Sequence, residues 1–252
     1  KWIWWSRGIG GRSALDYLIK VKGYSFLEAV ETIIGHTAIQ APVYEKPQSK
    51  EENKPLLLPE KCASNRVITE YLFGRGIDFE IINYCISNDL IFESLPYHNV
   101  VFVGYDEKKE PKYAAYRSTN KRRIMGDCSG SKKDYSFRLG KENLEEVHLF
   151  ECAIDLLSYA TLAKLNGQDW KEMSFVSLSG VYSPAKKIED SKVPIALEKY
   201  LGSNPSVRKI RIHFDNDIAG RKAAQTLKTI LPDKYEIVDE PPKAGKDFND
   251  FL

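Results

Sequence analysis

The chain has 252 residues, 42% hydrophobic and 29% charged, which is ordinary for a globular protein and enough apolar material for at least one sizeable core. Its net charge of +2 is nearly neutral, so only the distribution of charge can speak about partners. No run of about 18 apolar residues and no secretory h-region is present, which argues against a membrane span and for a cytoplasmic protein. Cys62, Cys85, Cys128 and Cys152 form no C-x-x-C pair, so reduced thiols are expected, and no zinc site within this chain.

The N-terminal stretch carries Trp2, Trp4 and Trp5, then Gly8, Gly10 and Gly11. Two short helices are predicted next. Ser13 can cap the first, whose Leu15, Leu18 and Ile19 share a face. Ser25 and Glu28 make a capping box for the second, whose Phe26, Ala29, Val30 and Ile33 recur at helical spacing until Gly35. The glycines lack the strand-loop-helix setting of a phosphate loop and read as turn residues. Residues 41–55, APVYEKPQSKEENKP, read as a linker. A helical region follows from Ala63 to Ser87, interrupted at Gly74 and Gly76.

Strands are predicted over Val100 to Tyr105, Lys112 to Arg117 and Tyr135 to Leu139. Residues 104–141 hold eleven basic side chains against five acidic ones, an excess larger than that of the whole chain. Tyr105, Tyr113, Tyr116, Tyr135 and Phe137 are interleaved with them. Cations neutralise phosphates and aromatic faces can stack bases, so this block is either a nucleic-acid surface or a solvated hairpin with core-facing aromatics.

From Glu145 the pattern alternates. VHLFE, SFVSL, KIRIHF and Tyr235 to Val238 read as strands, with helices over Ala153 to Leu165, Pro194 to Leu201 and Ile218 to Leu231. That order implies parallel pairing in an α/β layer fold, with any site at the carboxyl ends of the strands. Glu151, Asp215 and Asp217 fall there, and Asp155 lies one helical turn beyond Glu151. Gly220 is read as easing the turn into the following helix. Clustered carboxylates repel one another, and a hard cation such as magnesium relieves that repulsion. His213 reads as a packed strand histidine; His148 and His98 have no partner pattern, and Ser179 has no triad partners.

FECAIDLLSYA, SLSGV, IHFDNDIAGRKAA and KDFNDFL, in this order over residues 146–252, resemble the Toprim domain of bacterial primases, topoisomerases and some nucleases. Upstream, PKYAAYR and GSKKDYSF resemble motifs of primase cores, the second in the branch borne by plasmids and integrative elements. WWSRGIGGRSALDYL with SFLEAVETIIG resembles the tail of the zinc-binding domain that precedes such cores. The resemblance implies a Rossmann-like parallel sheet with helices on both faces, preceded by a smaller basic α+β subdomain. The expected division is a zinc-domain remnant at 1–40, the linker, the basic subdomain at 56–145 and Toprim at 146–252. A chain opening at Lys1 is also expected to be an excerpt of a longer protein.

By the same resemblance Glu151, Asp215 and Asp217 are the catalytic acids. They would hold Mg²⁺ or Mn²⁺, with Asp155 and Asp247 in support. Lys112, Arg117, Lys132, Lys133 and Lys246 would contact nucleotide or template phosphates. The implied activity is primer synthesis on single-stranded DNA from nucleoside triphosphates, with a replicative helicase engaged through regions outside the chain. Two alternatives stay open: a Toprim nuclease, and a nucleic-acid-binding module with weak catalysis.

Overall fold

The computed structural model describes residues 2–4, 9–34, 54–180, 182, 184–185 and 188–252. The chain forms two compact units, Lys1–Glu52 and Asn53–Leu252. Trp5, Gly8, Gly35 and most of the predicted linker lie outside the described residues.

In the first unit, strands β1 (Trp2–Trp4) and β2 (Ile9–Gly11) pair antiparallel, and helices α1 (Ala14–Lys22) and α2 (Phe26–Ile34) follow. Both predicted caps form. Asp16 N donates to Ser13 Oγ at 3.2 Å while Ser13 N donates to Asp16, and Ser25 N donates to Glu28 Oε2 at 2.8 Å. Gly10 and Gly11 are strand residues rather than turn residues. A Cβ on Gly11 would stand 2.4 Å from that of Asp16, so the close approach of the hairpin to the capping box is what requires glycine there.

The second unit begins with α3 (Arg66–Phe73) and α4 (Phe79–Ser87), separated where Gly76 takes a left-handed φ of 86°. An antiparallel sheet follows, in the order β3 (Ile91–Glu93), β4 (Val100–Tyr105), β5 (Pro111–Arg117) and β6 (Met125–Asp127). Ile68, Leu72, Ile81 and Ile82 of the helices pack against Ile91, Val100 and Phe102 of the sheet.

The strand predicted from Tyr135 to Leu139 is corrected. Lys133–Tyr135 is a 3₁₀ turn, and strand β7 spans Arg138–Gly140. The chain crosses β4 at Gly104, where a Cβ would lie 1.7 Å from the Tyr135 carbonyl oxygen. Pairing with the strand Ser174–Ser177 begins past that crossing, with Ser177 N donating to the Phe137 carbonyl at 3.0 Å.

β7 is an antiparallel edge of the larger sheet, ordered β11 (Glu236–Asp239), β10 (Lys209–His213), β8 (Glu146–Phe150), β9 (Ser174–Ser177), β7. Its other four strands are parallel. Helices α5 (Ala153–Leu165) and α8 (Phe248–Phe251) cover one face, and α6 (Ile195–Ser203) and α7 (Ile218–Ile230) the other. The fold is thus an α/β sheet with helices on both faces, preceded by a smaller α+β part. Phe150, Ile154 and Leu157 share one core with α3 and α4, so the packing runs unbroken through residue 145. Among the described residues no helix is long and apolar enough to cross a membrane.

Two glycines test this packing. Gly104→Ala should cost roughly 1–3 kcal/mol in urea denaturation, because its Cβ meets backbone. Gly202→Ala, in α6 with open space around it, should stabilise by up to about 1 kcal/mol through helix propensity.

Candidate metal centre

The parallel register brings the site together. His213, Phe150 and Ser177 are side by side across β10, β8 and β9, so the three strands end on one line. Glu151 is the first residue beyond that line on the middle strand, and Asp215 the second beyond it on β10. Asp215 N donates to Glu151 Oε1 at 3.2 Å. Asp217 caps α7, accepting from Gly220 N at 2.9 Å. Gly220 lies inside α7, not in a turn before it. A Cβ there would stand 2.2 Å from the Asp215 carbonyl and 2.9 Å from Glu151 Oε1, so glycine is needed because the helix abuts the acids.

Lys246 joins Asp215 and Asp217 at one point, its Nζ 3.4 and 3.2 Å from their carboxylates. Asn216 N donates to the Lys246 carbonyl at 2.7 Å and holds that segment in place. Asp247 follows as the cap of α8, accepting from Asp250 N at 2.8 Å. Asp155 stands in the first turn of α5 and accepts from the Cys152 thiol at 2.8 Å. Burial keeps that thiol protonated, so it acts as a donor.

Five acids therefore share one end of the sheet. Burial, then Asp215, pushes the Glu151 carboxyl up to about 7. Burial, aided by Asp247 and Asp215, pushes Asp155 up to about 7 despite the opposing Cys152 bond and Arg117 charge. Asp215 is raised by burial. Asp217 is lowered by the Gly220 amide and then by Lys246. Lys246 thus serves the outer pair and leaves the inner carboxyls under-compensated. An all-oxygen set whose inner members, Glu151 and Asp155, are raised by burial and by neighbouring carboxylates fits a hard divalent ion, Mg²⁺ or Mn²⁺.

Beside the acids lies a pocket of about 270 Å³ between β5 and β6 on one side and the start of α5 on the other. Arg117, Lys133, Tyr116, Cys152 and Gly180 line it. Arg117 and Lys133 both stand on the pocket wall; the Arg117 charge reaches Asp155, and Lys133 is paired with Asp127 at 3.1 Å. Lys112 is turned elsewhere: Glu110 and Asp106 hold its ammonium at 2.6 and 3.4 Å within the β4–β5 turn. Lys132 is exposed and bonded through its backbone to the Lys112 carbonyl. Of the aromatic residues interleaved in the basic block, Tyr113 and Phe137 are buried beneath the pocket and Tyr116 is half-buried on its wall.

His213 and His148 are core residues. His148 Nδ1 and His213 Nε2 are 2.9 Å apart, and His213 Nδ1 faces the Glu240 carbonyl at 3.1 Å. Burial lowers both, His148 to about 4. Ser179, with φ 60°, and Gly180, with φ 129°, shape the turn after β9, where Gly180 N donates to the Glu151 carbonyl at 2.9 Å.

Arg221 is a positioning residue that sequence reading did not single out. Its guanidinium donates to the Phe214 and Asp215 carbonyls at 2.7 and 3.2 Å and to Asp239 at 2.8 Å, fixing the loop that carries both aspartates. Its place one turn into α7, four residues beyond Asp217, was the available signal.

Residues 148–252 match the family described as Toprim-like, and residues 70–143 match one described as protein of unknown function (DUF3991). The chain carries a Toprim-like domain. None of the curated proteins searched matches it. Among solved structures, the chain is similar to the primase fragment of the bacteriophage T7 primase-helicase protein (19% identity, TM-score 0.46, covering 71% of this chain and 66% of that one). It is also similar to a DNA primase domain from Pseudomonas aeruginosa (16%, 0.46, 74% and 67%) and to the Aquifex aeolicus primase zinc-binding and RNA polymerase domains (16%, 0.44, 95% and 66%). The chain thus spans about two thirds of the length of these structures. The Toprim-like domain begins within β8, and the DUF3991 match contains the whole basic block, including β5 and β6.

The raised Glu151 carboxyl has a measurable consequence. Without divalent ion the folded chain binds a proton there that the unfolded chain releases above about pH 4.5. Stability from this group is therefore full below pH 4.5 and lost as pH rises towards 7. Glu151→Gln should be more stable than the parent by a margin that grows over that window to roughly 3 kcal/mol. Paired urea titrations at pH 4.5 and 7.5 in EDTA check this; a margin independent of pH would contradict it.

Proposed function

We propose that this protein is the catalytic core of a primase-like nucleotidyltransferase that makes short primers on single-stranded DNA. The observation that carries this reading is the pocket itself. It carries Arg117, Lys133 and Tyr116 on its wall beside Cys152, Ala153 and Ile154 at the start of α5, where the Arg117 charge reaches Asp155 of the acid centre. A continuous strand to be cut would call for an open groove, whereas one incoming nucleotide calls for a pocket with cations for its phosphates and a carboxylate centre beside them.

In this reading Glu151, Asp215 and Asp217 hold Mg²⁺ or Mn²⁺, and Asp155 and Asp247 support them. The chemistry supplied by the bound ion is charge stabilisation at the α-phosphate while a 3′-hydroxyl displaces pyrophosphate. The chain's own share is positioning. Arg117 and Lys133 bind the triphosphate, and Tyr116 offers an aromatic face to the base. Lys246, on a mobile four-carbon stem, releases Asp215 and Asp217 to the cation and turns to a phosphate oxygen. Arg221 keeps the two aspartates aimed. Lys132 is placed for the template backbone, and Lys112 is assigned to the β4–β5 turn instead. The setting proposed is the cytoplasmic replication of a mobile element, with a replicative helicase as partner.

A primer-synthesis assay with single-stranded DNA, nucleoside triphosphates and Mn²⁺ tests this. Asp215→Asn with Asp217→Asn should reduce product at least about a hundredfold. Arg117→Ala should reduce it about tenfold, as for loss of one charge-assisted phosphate contact, and Lys112→Ala by less than about twofold. DNA degradation without nucleotides would instead show a nuclease. DNA binding that survives the double substitution, with no synthesis by the parent chain, would show a binding module.

A further inference from the structure

Cys62, Glu93 and His98 stand together at the far edge of the antiparallel sheet, outside the acid centre. One potential ligand atom from each lies within 4.8 Å of the others. The three residues are thirty-one and five positions apart, a spacing that matches no cysteine-histidine motif. The fold supplies the proximity. Residues around Lys61 pair antiparallel with Ser94, and Cys62 N donates to the Glu93 carbonyl at 2.8 Å, which sets Cys62 directly beside Glu93. The turn after β3 returns His98 over the same residue, with His98 N donating to the Ser94 carbonyl at 2.8 Å.

The Glu93 side chain is held from outside the trio. Glu93 is 2% exposed, and its Oε2 accepts from Val67 N and Ile68 N at 2.9 and 3.3 Å at the start of α3. Its Oε1 is left to face His98 Nδ1 at 2.6 Å. Thr119 Oγ1 donates to the His98 carbonyl at 2.9 Å and Asn65 Oδ1 accepts from Glu93 N at 2.9 Å, so partners outside the trio fix the backbone of both. The His98 side chain is 45% exposed, which leaves a path for an ion from solvent. Cys62 is a free thiol, partly exposed.

We propose that Cys62, Glu93 and His98 form a second cation site, one that takes zinc or a similar thiophilic divalent ion and not magnesium. The chemistry follows from the donors. A thiolate, an imidazole and a carboxylate are the set zinc accepts, with a fourth position left to water. The ion would replace the thiol proton, and His98 would carry its ring proton on Nε2 with Nδ1 given to the ion, so binding releases a proton and weakens at low pH. The acid centre offers oxygen alone, so the two sites sort their ions by hardness. Bound there, the cation would tie the Lys61 edge to the turn after β3. Glu93 faces Val100 and Val100 faces Arg117 across the ladder, so it would also brace the row that ends at the pocket.

Cobalt titration of the whole chain, freed of metal by chelator, is the test. One equivalent of Co²⁺ should raise a near-ultraviolet thiolate-to-cobalt charge-transfer band. Zn²⁺ should abolish the band, and excess Mg²⁺ should leave it. Cys62→Ser should remove the band, and His98→Gln should weaken Zn²⁺ binding at least about tenfold, with unchanged far-ultraviolet circular dichroism showing that both variants fold. Asp215→Asn with Asp217→Asn should leave the band intact. A band that is absent in the parent chain, or that survives Cys62→Ser, would overturn the proposal.

Discussion

Like charges forced together at the end of a parallel sheet set the terms for the rest of this molecule. The register of β8, β9 and β10 makes the strands end on one line, and the residues just beyond that line are acids. Burial then removes the water that would screen them, which is why Glu151 and Asp155 are both pushed up to about 7. Much of what surrounds them answers that repulsion. Lys246 spans the outer aspartates, Arg221 fixes their loop, Arg117 faces Asp155 and Gly220 gives up a side chain so that α7 can come close. An arrangement of this kind costs stability in the free protein, and a divalent cation is the simplest means of recovering it.

The pocket depends on the two halves of the second unit packing as one body. β7 leaves the basic half to become an edge of the parallel sheet, and α3 and α4 share a core with α5. Arg117 and Lys133 consequently line the pocket at the start of α5 from elements that precede the Toprim-like domain in sequence. The site thus spans two regions of the chain matched by separate families.

The alternating half was legible because its signals are local. Ala153–Leu165 was read to the residue, and the acids at strand ends follow from topology once the strands are parallel. What escaped depends on three-dimensional contacts that residue type and spacing do not announce. The predicted strand starts only at Arg138 because a 3₁₀ turn precedes it at the crossing by Gly104, and no local pattern announces that the Tyr135 carbonyl will lie there. Lys112 looked equivalent to Lys133 in composition, but its turn neighbours Asp106 and Glu110 claim it first. Gly220 was noticed for the wrong reason, since its need is space beside Glu151 and not freedom of φ. Cys62, Glu93 and His98 meet only through a strand edge and a turn, so cysteine spacing had nothing to show.

The central claim is that the buried acids form a divalent-cation centre. Manganese binding followed by electron paramagnetic resonance tests it most directly, because it needs neither substrate nor turnover. The parent chain should bind Mn²⁺ in competition with Mg²⁺, and both Glu151→Gln and Asp215→Asn should weaken that binding at least about tenfold while the protein stays folded. Undiminished Mn²⁺ binding in both variants would contradict it.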